Sequence, residues 1–225
     1  MNRIVYINAS PRVDEVTSSG TFLSMLDKYF DDNDTEKAII NVRKSVLEHQ
    51  SESDFDTILK ADAVVIAFPL YFFCLPGLLT RFLQDYHSYY FENEIHAHRQ
   101  KIYTIVNCGF PEANINEEAV KVIESFSRQI GAEFRLGIMI GSGGMVIVAK
   151  DAPFMKKPLK ALEQAMNSLA QDAMSERLDP ISNIQITVKV PRWLYYLMAD
   201  MGFNHTATKN GNSKKDILKK AYQPD

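Results

Sequence analysis

Apolar residues fall along the chain in two alternating patterns. Short β-branched runs are separated by segments in which apolar positions recur every three or four residues. Residues 3–8, with Ile-Val-Tyr-Ile at their centre, read as a first strand. A polar, turn-rich stretch follows to Gly20. Residues 21–30 then carry Phe22, Leu23, Met25, Leu26 and Tyr29 at helical spacing. Residues 37–42 read as a second strand, and residues 54–60 as a short helix capped by Ser53. Residues 63–68 (Ala-Val-Val-Ile-Ala-Phe) are apolar at every position, as a central strand of a parallel sheet covered on both faces must be. Residues 76–85 return to helical spacing, with Pro76 near the start and Leu78, Leu79, Phe82 and Leu83 following. Residues 101–107 are a fourth strand. Asn116 is the expected cap of a helix to Ile130, with Glu117 and Glu118 in its first turn and Gly131 at its end. Residues 134–140 read as a fifth strand and residues 157–173 as a long helix.

Five strands alternating with helices predict a doubly wound α/β sandwich on a parallel sheet, with right-handed crossovers. The last fifty residues break the alternation. Residues 184–190 fit a short strand or an extended crossing. Residues 193–201 form an apolar, aromatic helix introduced by Pro191 and ended by Gly202, and residues 213–222 a basic helix. The expected division is therefore a domain over residues 1–175 and an extension over 176–225, too small for its own core, that packs on the domain or on a partner.

Composition narrows the function classes. The chain has 225 residues, of which 46% are hydrophobic and 24% charged, too apolar for disorder. Two cysteines without a CxxC spacing exclude a disulfide scaffold and fit free thiols in a reducing cytoplasm. A net charge of −3 speaks against a nucleic-acid binder. No export signal is read at the start. The apolar stretch over residues 63–79 is broken by Pro69, Pro76 and Gly77, so no membrane span is expected. Charge is uneven: residues 14–62 hold twelve acids and five bases, residues 201–225 five lysines and two aspartates. Solvated helix faces account for this, or a basic tail that meets phosphate or an acidic partner.

In such a sheet, ligands bind beyond the carboxyl ends of the strands. The loop after the first strand, residues 8–21, is rich in hydroxyls and ends at a helix start, which suits an anion; an N-cap cluster without ligand is the alternative. Arg12 in it could meet phosphate or solvent. It contains no GxGxxG, and the chain has no P-loop run. The loop Pro69-Leu70-Tyr71-Phe72-Phe73-Cys74-Leu75-Pro76-Gly77 carries three consecutive aromatics. They cover a flat apolar group such as a cofactor ring, or pack into the core or a subunit interface. Residues 107–112 and the run Gly141-Ser142-Gly143-Gly144 are the remaining edge loops; the latter is a plain turn or a mobile substrate-side loop. Residues 85–101 hold three histidines. His96 and His98 with Glu92 or Glu94 match no zinc spacing, so no metal site is expected. Tyr86, Tyr89, Tyr90 and Phe91 line an interface or the ligand, or simply pack. Trp193, Tyr195, Tyr196 and Met198 could mark a membrane-surface helix, but packing suits them better because only Arg192 supplies charge nearby.

Taken in order, Ile4–Arg12 with Ser18 and Ser19, Ala61–Tyr71 with Leu75–Leu79, and Asn107–Pro111 resemble the NAD(P)H-dependent FMN reductase and quinone reductase branch of the flavodoxin-like superfamily, over about residues 3–175. The resemblance implies a three-layer sandwich whose five-stranded sheet has the order 2-1-3-4-5, with FMN at its carboxyl edge. It implies phosphate contacts from Ser10, Arg12, Ser18 and Ser19. Pro69, Leu70, Tyr71 and Phe72 lie beside the isoalloxazine, with Asn107, Cys108 and Gly109 at its other side. It further implies NAD(P)H as donor, a small aromatic acceptor (a quinone, free flavin or nitro compound), a homodimer, and no catalytic side chain, since the cofactor carries the chemistry. Ala9 stands where the family has glycine, and Thr80 lies near the family's lysine. The competing expectation is a flavodoxin-like binding or regulatory module that has lost flavin.

Overall fold

The central strand explains the architecture. Val64, Ile66 and Phe68 project to one side of it and Ala63, Val65 and Ala67 to the other, and all six are buried. Such a strand needs a helical layer on each face. The computed structural model describes residues 2–12, 16–31, 33–93, 100–176 and 178–219. Its strands are β1 (Asn2–Asn8), β2 (Thr35–Asn41), β3 (Ala63–Pro69), β4 (Lys101–Asn107), β5 (Glu133–Ile140) and β6 (Ile184–Ile186). Its helices are α1 (Ser18–Asp27), α2 (Val42–Leu47), α3 (Ser51–Leu59), α4 (Gly77–Glu92), α5 (Glu117–Gln129), α6 (Gly143–Val148), α7 (Lys156–Met174), α8 (Arg192–Lys209) and α9 (Lys214–Ile217).

The sheet corrects the five-stranded expectation. It has six parallel strands in the order β2-β1-β3-β4-β5-β6. The addition is β6, whose Ile184 and Ile186 pair with Ile138 and Ile140. A three-residue edge strand carries too little alternation to be told from a loop by pattern.

One core, on the face covered by α2 to α5, joins Val5, Ile7, Val64, Ile66 and Phe68 to Phe55, Phe82, Ile123 and Met139. On the opposite face α1 and α7 pack over Tyr6, Val65, Tyr103 and Ile138 through Phe22, Leu26, Leu162, Met166 and Leu169, all buried. The aromatic run after residue 85 belongs to the first core. Helix α4 extends to Glu92, and Phe55 meets Phe82, Tyr86 and Tyr89 at ring-centre distances of 5.2 to 5.3 Å. The Tyr89 hydroxyl donates to Asp56 at 2.7 Å. Ordinary packing therefore accounts for Tyr86, Tyr89 and Tyr90. His96, His98 and Glu94 lie outside the described residues, and no metal-ligating cluster occurs among those described.

Several helix ends differ from expectation for local reasons. Helix α2 follows β2 directly because Asn41 accepts the Lys44 amide at 3.1 Å. Helix α3 starts three residues early, so Ser53 lies inside it and donates to the Gln50 carbonyl instead of capping. Asn116 ends a 3-10 turn, Ala113–Asn116, and turns its amide to Cys108 Sγ and the Ala113 carbonyl rather than to the helix. Gly131, at φ +70°, ends α5 as expected.

Two compact units emerge, Met1–Val188 and Lys189–Asp225. The second comprises α8 and α9. Helix α8 runs through Gly202 and stops only at Asn210 and Gly211, because one helix-interior glycine costs only about 1 kcal/mol. Ser213 and Asp216 form a capping box on α9. Among the described residues no helix is long and apolar enough to cross a membrane.

Candidate functional site

The parallel ladders continue past the strand ends and lace four loops together along the carboxyl edge of the sheet. Ala9 N–H donates to the Ala67 carbonyl (2.9 Å), Leu70 N–H to Asn107 (2.7 Å), Cys108 N–H to Ile140 (3.0 Å) and Gly141 N–H to Ile186 (2.9 Å). The cofactor residues named from the sequence stand along this edge, in the loops after β1, β3 and β4, at the last residues of β3 and β4 and in the first turn of α1.

The β1 loop is organised by Asn8 and Thr17. Asn8 accepts the Ser10 amide at 3.2 Å, and Ser10 Oγ accepts the Arg12 amide at 3.4 Å. Thr17 is the N-cap of α1 and accepts the Gly20 amide at 3.1 Å. Ser18 and Ser19 then occupy the first turn, where backbone donors lack helical partners and the helix dipole is positive. Ser10 and Ser19 are buried, and the Ser19 hydroxyl has no hydrogen-bond partner among the described residues. A buried hydroxyl at a helix N-terminus is a donor in want of an acceptor. Arg12 is exposed, and residues 13–15 lie outside the described residues.

The β3 loop forms a tight hairpin. Tyr71 and Cys74 exchange backbone bonds of 3.0 and 2.9 Å, and the two residues between them, Phe72 and Phe73, have φ of +48° and +61°. Positive φ at both central positions is the type I′ requirement, which Asn-Gly normally meets. Two phenylalanines there are strained, and such strain clusters at ligand sites. Their rings do not enter the core. Phe72 is 99% exposed and Phe73 60%. Phe73 stacks on Phe110 of the β4 loop with ring centres 6.0 Å apart and planes 16° from parallel. Pro69 ends β3 and Leu70 is half-buried beside it.

In the β4 loop, Asn107 is buried and donates to the Phe68 carbonyl at 3.3 Å, while Gly109 is exposed. Cys108 is buried, and burial pushes its thiol up against the opposing hydrogen bonds from Asn116, Phe110 and Ser142. Burial thus holds it toward the thiol form. No charged side chain falls within residues 69–77 or 107–111. The edge thus has an anion-suited end at α1 and an uncharged aromatic end at the hairpin.

The sequence nominated neither Asn8 nor Thr17, although a Thr-Ser-Ser run before a helix signals a cap. It also missed the Phe73–Phe110 pair, because nothing local joins loops 37 residues apart in the chain.

A family model for the flavodoxin-like fold matches residues 2–164, and the chain belongs to that family. Several of the solved structures similar to it are described as reductases. One is an apo NADH:FMN oxidoreductase, at 16% identity, TM-score 0.55, covering 86% of this chain and 99% of that one. Another is an NADPH-quinone reductase from P. pentosaceus, at 13% identity, TM-score 0.53, covering 79% and 99%. A third is a flavone reductase, at 11% identity, TM-score 0.58, covering 80% and 66%. At these identities the likeness is one of fold. Comparison with curated protein sequences found no match.

Proposed function

We propose that this chain is an FMN-dependent oxidoreductase, acting as a homodimer in the cytoplasm, that passes a hydride from NAD(P)H to a small aromatic acceptor such as a quinone, free flavin or nitro compound. The observation that carries this reading is the pairing, on one sheet edge, of the unpartnered buried Ser19 hydroxyl with the strained, exposed Phe72–Phe73 hairpin. The first suits a phosphate and the second a flat ring, and FMN has both. The family membership and the reductase relatives support it.

The residues divide the task. Ser10, Ser18 and Ser19, with the α1 N-terminus, hold the phosphate, and Arg12 stands in the same loop to add charge. Pro69, Leu70, Tyr71 and Phe72 flank the isoalloxazine on one side, and Asn107, Cys108 and Gly109 on the other. The Leu70 and Tyr71 amides are already committed to Asn107 and Cys74. Among those four residues and Phe73, the amides left to meet a polar ring edge are those of Phe72 and Phe73. When bound, the flavin supplies the hydride chemistry, so no side-chain acid or base is assigned. The uncharged aromatic rim excludes water and orients planar substrates over the ring.

The test is reconstitution. Added FMN should lose fluorescence on binding, and the loaded protein should oxidise NADH or NADPH when a quinone is supplied. A protein that leaves FMN fluorescence unchanged is instead a flavin-free binding module of the same fold. Sedimentation measures the dimer.

A further inference from the structure

The run Gly141-Ser142-Gly143-Gly144 is not used by the reading above, yet three of its residues are held closely at the sheet edge. Ser142 has φ +51° and ψ +42°, is buried, and leaves its hydroxyl without a partner. A left-handed serine persists only where its surroundings hold it. What holds it is the β4 loop. Ser142 N–H donates to the Phe110 carbonyl at 2.7 Å, and Gly143 N–H to the Cys108 carbonyl at 2.9 Å. The Pro111 carbonyl is taken from the other side by Val188 N–H at 3.3 Å. Three carbonyls of the Cys108–Pro111 loop are therefore turned toward the β5 and β6 side.

The two glycines flanking Ser142 are there for space. A Cβ on Gly141 would stand 2.0 Å from the Pro111 carbonyl oxygen. One on Gly143 would stand 2.7 Å from both Cβ and Oδ1 of Asn107. Gly144, next in line, has nothing within 4 Å of such an atom. The contact is thus confined to three residues, and the fourth is free of it.

We infer that Gly141, Ser142 and Gly143 are positioning residues for the cofactor. They form a backbone clamp that sets the Asn107–Pro111 loop, and with it Phe110 and its stacked partner Phe73, at the distance from the sheet edge that an isoalloxazine needs. This rests on the flavin reading above. The clamp acts through backbone and space, not through the Ser142 hydroxyl. It makes a loop otherwise free to shift into a preorganised wall, and small displacements of such a wall weaken a site strongly.

Adjacent glycines give the test. Gly143→Ala should push Asn107 aside, weaken FMN binding by about tenfold or more, and change the visible circular dichroism of the bound flavin. Gly144→Ala should match the unmodified protein in both. Ser142→Gly keeps the amide and relieves the left-handed strain, so it should bind FMN as the unmodified protein does. Ser142→Val keeps the amide but disfavours the conformation, so it should behave like Gly143→Ala without any overlap with Asn107. Thiol labelling supplies a readout that needs no flavin. Cys74 is exposed and Cys108 buried, so the unmodified protein should react at Cys74 alone, and both clamp-breaking variants at Cys108 as well. Unchanged FMN affinity in Gly143→Ala and Ser142→Val would overturn the inference. So would an equal loss in Gly144→Ala or Ser142→Gly. If the unmodified protein fails to bind FMN, the flavin reading falls. The labelling then judges the clamp alone, with a protected Cys108 in both variants overturning it.

Discussion

Thr17 and Ser19 stand two positions apart at the start of α1 and should respond differently to the same truncation. The Thr17 hydroxyl closes the helix cap on Gly20. Thr17→Ala should therefore cost about 1 kcal/mol of stability in urea denaturation. The Ser19 hydroxyl bonds to nothing among the described residues. Ser19→Ala should leave stability within about 0.5 kcal/mol, yet weaken FMN binding by about tenfold through loss of a charge-assisted bond. A Ser19→Ala protein with full FMN affinity would remove this residue from the phosphate site. Phe72 presents the opposite balance. Its φ of +48° is unfavourable for any residue with a Cβ. Phe72→Gly should raise stability by about 0.5–1 kcal/mol in thermal unfolding while raising the KM for an aromatic acceptor, because the exposed ring is lost. Strain retained against stability is the mark of a functional position. Sequence alone revealed the three aromatics, but the left-handed backbone of Phe72 and Phe73 followed only from the Tyr71–Cys74 pairing.

At the scale of elements, α7 is fastened to the sheet by a polar clasp at the end away from the candidate site. Asp172 accepts two bonds from Arg135, at 2.9 and 2.7 Å, and one from Tyr103 at 2.6 Å. Lys101 Nζ donates to the carbonyls of Asp172, at 2.7 Å, and of Ser175. Both ionic side chains are nearly buried, at 5% and 10% exposure. Burial alone pushes the Asp172 carboxyl up, but the bonds and charge of Arg135 and the Tyr103 hydroxyl outweigh it and leave the carboxyl below its ordinary value. A carboxyl lowered in the folded state adds stability that is complete above its unfolded value, about pH 4. That stability is lost as pH falls through the lower folded value. Asp172→Ala should cost about 3 kcal/mol near neutrality, since it leaves the buried Arg135 with only Glu133 at 3.3 Å and the Asp179 carbonyl at 2.7 Å. Its stability should also fall less steeply in acid than that of the unmodified protein, as denaturation at a series of pH values would measure. Nothing in the sequence pairs these residues, because strands β4 and β5 and helix α7 bring them together from positions 103, 135 and 172. The six longest helices were legible from apolar periodicity or from their caps and flanking proline and glycine. The short α2 and α6 were not, because a helix of six residues completes fewer than two turns of pattern.

At the scale of the molecule, the whole sheet, both covering layers and every candidate site residue lie within Met1–Val188. A chain ending at Val188 should therefore unfold cooperatively and still quench FMN fluorescence, as a thermal scan and a titration would record. Failure of either would mean that Lys189–Asp225 is needed for the fold or the site. The order of the five longer strands and the six longest helices along the chain and the burial of the central strand were determined by the sequence, and the carboxyl edge is where it leads one to expect a ligand. Each follows from hydrophobic period and from the handedness of parallel crossovers, which act over one or two neighbouring elements. The sixth strand, the stacking of Phe73 on Phe110, the clamp of Ser142 on the β4 loop and the Asp172 clasp were decided only by the tertiary structure. They join segments far apart in the chain through backbone carbonyls, ring faces and single charges, and a linear pattern of apolar and polar positions carries no record of which distant carbonyl a given amide will meet.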